Sequence, residues 1–93
     1  MVSFSILHRT DEQIMYEYYP ENRKDKQPGI ITIDMRAEKI GIATPAEDDF
    51  ECCERCADEF DVRWWWYGSH AIRRICEDYN NGLIKDSGIV AWY

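Results

Sequence analysis

The chain has 93 residues, of which 18 are acidic and 11 basic, for a net charge of −7, and 45% are hydrophobic. A chain of this size forms one domain, residues 1–93, and holds enough apolar material for a core, which argues against disorder. The charge surplus has the wrong sign for general binding to nucleic-acid phosphates or to anionic membranes.

The first half alternates with period two. In "VSFSILH", Val2, Phe4 and Ile6 share one face of a strand and Ser3 and Ser5 the other. "TDE" supplies a polar turn, and "QIMYEYY" follows with Ile14, Tyr16 and Tyr18 on a single face. The short link implies an antiparallel hairpin. "PENRKDKQPG" is a ten-residue polar loop, expected to be mobile. "IITIDMR" predicts a third strand with Ile31, Ile33 and Met35 aligned, and "KIGIAT" a fourth after the turn "RAEK".

A first helix is expected over about 45–59. Thr44 suits an N-cap, Pro45 the first helical position, and Glu47 the far corner of a capping box. Phe50, Cys53, Ala57 and Phe60 recur at helical spacing. Residues 47–61 carry eight acids and one base, Arg55. Such a run is ordinarily a solvated helix face; the sharper alternative is a docking surface for a basic partner, or a nucleic-acid mimic. "SHAIRRICEDYNNG" predicts a second helix, with Ser69 as cap, a stripe of Ile72, Ile75, Cys76 and Tyr79, and Asn81-Gly82 as its stop. "IVAWY" reads as a last strand. The expected fold class is α+β: an antiparallel sheet of four to five strands, order β-β-β-β-α-α-β, with two helices packed on one face.

Trp64, Trp65, Trp66 and Tyr67 form an unbroken row. In a strand they would alternate between faces, and in a helical turn they would step by ~100° each around the axis. Neither geometry sends all four into one core. One resolution is internal, with some rings buried and others covered by arginine stems such as Arg63 or Arg73. The other is a surface for a protein partner or a second copy of the chain, made of Trp64, Trp65, Trp66, Tyr67 and Trp92. Stacking on single-stranded nucleic acid is disfavoured by the acidic balance.

Cys53 and Cys56, spaced C-x2-C, could join His70 and Cys76 as a zinc set. Small buried hydrophobes are the commoner role for such cysteines, and His70 and Cys76 stand ~240° apart in helical rotation. Redox use is disfavoured, because neighbouring carboxylates oppose a thiolate. His70 with Arg73 and Arg74 could form a small anion site. No group of residues assembles a nucleophile, a base and an orienting partner, so catalysis is not expected, and no cofactor motif is present. With no basic segment leading into an apolar run, and nothing near ~20 apolar residues in a row, the expected location is the cytoplasm.

"YEYYPENRKDKQPGIITID" and "YGSHAIRRICEDYNNGLIKDSGIVAWY" together resemble a family of small uncharacterised bacterial proteins. The resemblance rests on Tyr18, Tyr19, Pro20, His70, Ala71, Gly88, Trp92 and Tyr93 and covers about half of the chain. It implies no activity. The sequence as a whole is best read as a small acidic, non-catalytic interaction module.

Overall fold

A computed structural model describes residues 1–52 and 64–91. Its main sheet contains β1 (Val2–Arg9), β2 (Gln13–Pro20), β3 (Gly29–Asp34), β4 (Lys39–Thr44) and the late strand β7 (Ser87–Val90). The strand order is β4-β3-β2-β1-β7, and every pairing is antiparallel. A separate two-residue ribbon joins β5 (Glu51–Cys52) to β6 (Trp64–Trp65). The helix α1 (Trp66–Asn80) follows β6 directly and packs across β1 and β2.

The four-strand meander lies where the alternation places it. Val2, Phe4, Ile14, Tyr16, Tyr18, Ile31 and Ile33 are all buried and meet Ala71 and Ile75 of α1. Phe4 meets Tyr16 edge-on, with ring centroids 5.7 Å apart. Thr10 closes the first turn by accepting the N–H groups of Glu12 and Gln13 on its hydroxyl. The loop after β2 is tied down: Arg23 N–H donates to the Pro20 carbonyl, and Gln27 exchanges backbone and side-chain hydrogen bonds with Glu47.

Two expectations about the helices need correction. Among the described residues there is one helix, not two, and the order β-β-β-β-α-α-β does not hold. Thr44 pairs with Ile30 as the last residue of β4, and no helical turn follows it over residues 45–50. Glu47 gives its carboxylate to the Gln27 N–H instead of closing a capping box on Thr44. Residues 45–50 run as irregular chain and turn into β5. The remainder of the expected 45–59 helix, from residue 53, lies outside the described residues.

The helix that does form begins at Trp66, three residues before the expected cap Ser69. Its cap comes from a distant segment. Asp49 Oδ1 accepts the Tyr67 N–H at 2.9 Å, Asp49 Oδ2 accepts the Gly68 N–H at 3.0 Å, and the Phe50 carbonyl accepts the Trp66 N–H at 2.9 Å. The first three amides of α1, which no helix can satisfy internally, are thereby all paired. The far end stops as expected: Gly82 adopts φ 78° and Leu83 N–H returns to the Asp78 carbonyl. The last strand starts at Ser87, earlier than "IVAWY" suggests; Trp92 and Tyr93 lie outside the described residues.

Tyr18 completes the junction. Its hydroxyl donates to Asp49 Oδ2 at 2.7 Å and accepts the buried Ala46 N–H at 3.0 Å. Gly29 leaves room for this ring, since a Cβ there would strike the Tyr18 ring and lie 2.6 Å from the Ala46 nitrogen. Asp49→Ala should therefore cost about 2–3 kcal/mol of unfolding free energy, measured by urea titration, and Asp49→Asn, which keeps one acceptor oxygen, should cost less. Gly29→Ala should cost about 1–3 kcal/mol in the same assay through overpacking.

Candidate functional site

The tryptophan row straddles the boundary between strand and helix, so both geometries occur in it. Trp64 and Trp65 form β6, paired with Cys52 and Glu51. Trp66 and Tyr67 form the first turn of α1. Trp65, Trp66 and Tyr67 are each half-buried.

Around them lies an aromatic ledge. Phe50, 50% exposed, stacks on Trp66 with centroids 6.0 Å apart and planes 16° from parallel. Tyr67 meets Phe50 edge-on at 6.0 Å, and His70 meets Trp66 edge-on at 5.0 Å. His70 Nδ1–H donates to the Trp66 carbonyl at 2.6 Å, which fixes the imidazole over the first turn. The Tyr67 hydroxyl donates to Glu21 Oε1, and the same oxygen holds the Met1 ammonium. These two partners, the tyrosine first, hold the Glu21 carboxyl below its usual range. Burial, and then the Glu21 contact, push the Tyr67 phenol up.

The sequence pointed to the tryptophans but missed Phe50, which reads as a core position of the expected first helix. Three acids at the start of the run are engaged: Glu47 with Gln27, Asp48 with Arg23 at 3.4 Å, and Asp49 with the start of α1.

The remaining described candidates lie on α1. His70, Arg73 and Arg74 share the outer side of α1, and Arg74 pairs with Glu77 at 3.8 Å. His70 and Cys76 stand ~9 Å apart along the axis. His70 lies against Trp66, whereas Cys76 lines a groove beside Ile40 and Tyr79. The structure does not bring these two zinc candidates together; Cys53 and Cys56 lie outside the described residues. Among the described residues no three His, Cys, Asp or Glu side chains gather as metal ligands, and no helix is long and apolar enough to cross a membrane.

The groove beside Cys76 is a second concave feature, of about 310 Å³, between the β3–β4 hairpin and the C-terminal half of α1. Comparison with protein-family models, curated proteins and solved structures finds no match to this chain.

Tyr18 beneath the ledge responds to pH. Burial pushes its phenol, like that of Tyr16, above the ordinary value of 10.0. In alkali the unfolded chain loses these protons first, so the folded state binds more protons and stability falls as pH rises. The contribution is complete below the unfolded value and is lost above it. The urea midpoint should therefore drop between about pH 9 and pH 11, and Tyr18→Phe, though less stable at neutral pH, should show a shallower alkaline slope.

Proposed function

We propose that the protein is a small non-catalytic interaction module whose aromatic ledge binds a protein partner or a second copy of the chain. The observation that carries this reading is the half-exposed Phe50 stacked on a half-buried Trp66, beside Trp65 and Tyr67. Large rings of this kind are favoured anchors of interfaces, because each brings much apolar area at little entropic cost.

The ledge is also held in place. Asp49 bonds the backbone of Phe50, Tyr67 and Gly68, so the segment bearing Phe50 and the helix start bearing Trp66 are tied to one carboxylate. A partner would meet a preformed surface, which reduces the ordering cost of binding. The net charge of −7 would favour encounter with basic partners and act on rate more than on affinity. The proposal counts Trp64 and Trp92 among the partner-binding residues and takes the cytoplasm as the location, and the resemblance to small bacterial proteins adds no activity to it.

Light scattering over a concentration series, with affinity capture from native lysate, tests the proposal. Wild-type protein should dimerise or retain a specific partner, and Trp65→Ser and Trp66→Ser should each weaken this at least about tenfold while the circular dichroism stays native. A monomer that captures nothing and whose tryptophans resist acrylamide quenching would overturn it.

A further inference from the structure

A sheet edge presents a row of backbone N–H and C=O groups, and the two edges of the main sheet differ in how they are guarded. β4 carries Lys39, its pairing with β3 shifts register between Ile30 and Ile31, and Pro45 follows it directly. Charge, an irregular ladder and proline are the ordinary guards of an edge. β7 has none of them. Its sequence, SGIV, holds no charge and no proline, and its register with β1 runs unbroken from Val2–Val90 to Ser5–Ser87.

The Ile6 N–H donates to the Asp86 carbonyl at 2.7 Å, which sets the phase of the ladder between β1 and β7. Gly88 and Val90 turn their backbone groups toward β1, and Ser87 and Ile89 turn theirs outward. Ser87 and Ile89 are exposed, and among the described residues no hydrogen bond reaches their outer groups. Apolar side chains gather beside this edge. Ile89 is 56% exposed on β7 itself, Leu7 52% on the adjoining β1, and Leu83 52% in the link that enters β7. β4 exposes no large hydrophobic residue.

We propose that β7 pairs antiparallel with β7 of a second copy of the chain, so that the two sheets become one. The strand is its own complement in that pairing. With Gly88 on the two-fold axis, Ser87 faces Ile89 of the partner subunit and Ile89 faces Ser87 of the partner subunit, so both outward residues exchange hydrogen bonds. Gly88, whose missing Cβ leaves room for the Phe4 ring, puts no side chain at the axis. Asp86 falls opposite Val90 of the partner subunit, so no like charges meet across the seam. The two Ile89 side chains share one face as diagonal neighbours and cover part of the exposed apolar area. A foreign strand would have to supply this pattern, which the chain already carries. The pairing is independent of the aromatic ledge. The net charge of −7 opposes approach of two copies at long range, so salt strengthens their association.

Sedimentation velocity of the full chain over a concentration series, at low and high salt, reads association; amide hydrogen exchange by NMR over the same series reads its place. A dimer should form, strengthen with salt, and slow exchange at Ser87 and Ile89 at least about fivefold. Ile89→Pro removes an outward N–H and none that bonds β1, a substitution an edge strand tolerates. It should weaken dimerisation at least about tenfold while the Phe4 and Ile6 amides keep their protection. Ile89→Lys, which guards the edge without touching the backbone, should do the same. Ile89→Thr and Trp65→Ser should leave the protection of Ser87 intact, the latter separating this contact from the ledge. A chain that stays monomeric, a dimer whose Ser87 and Ile89 amides exchange as in the monomer, or a dimer indifferent to both Ile89→Pro and Ile89→Lys would each overturn the proposal. Protection of these amides only on addition of an extended threonine–valine octapeptide would assign the edge to a foreign strand and overturn it likewise.

Discussion

The carboxylate of Asp49 is the constraint on which the rest of the structure depends. The helix opens with Trp66, Tyr67 and Gly68, three residues that neither cap nor favour a helix start. Its first amides would be unpaired without the segment 49–50, and a negative charge at this end also complements the helix dipole. Tyr18 sits under the same carboxylate and links it to the middle of the sheet. One acidic side chain therefore joins β2, the 45–50 segment and α1. Gly29 and Gly68 are the small residues that let these three approach so closely, since a Cβ at either would meet the Tyr18 side chain.

The sheet was legible in the sequence because alternation is a local signal. Val2, Phe4 and Ile6 could be assigned to one face from their spacing alone, and the same holds for Ile14, Tyr16 and Tyr18. The start of the helix was not legible for the opposite reason. Thr44, Pro45 and Glu47 reproduce a local capping pattern, but Thr44 is held in β4 by Ile30 and Glu47 is drawn to Gln27, both tertiary contacts that outweigh the local preference. The true cap, Asp49, lies 18 positions from Tyr67, beyond the reach of any capping motif. Phe50 was missed as part of the ledge for the same reason. The groove had no sequence signal at all: Ile33, Ile40 and Ile75 each read as ordinary core positions, and only their packing leaves space between them.

The ledge and the groove lie at opposite ends of α1 and differ in chemistry. The ledge is broad and aromatic, built around the first helical turn and fixed by Asp49. The groove is narrow, aliphatic below and acidic above, and is formed where the hairpin of β3 and β4 meets the last turns of the helix. A single rigid element thus supports both, and the outward residues between them, Arg73, Arg74 and Glu77, are exposed and charged.

Sheet order has a consequence for how the chain is made. β1 lies between β2 and β7, with Val2 opposite Val90. During synthesis β1 can pair with β2 early, but its second neighbour emerges only after β3, β4 and α1. Until then the backbone groups of Val2, Phe4 and Ile6, which face the β7 side, stay open to water or to another nascent chain. Closure joins segments almost the full length of the domain apart, a contact of high order that is entropically slow to form. In the interval, misassembly between neighbouring copies competes with completion of the native sheet.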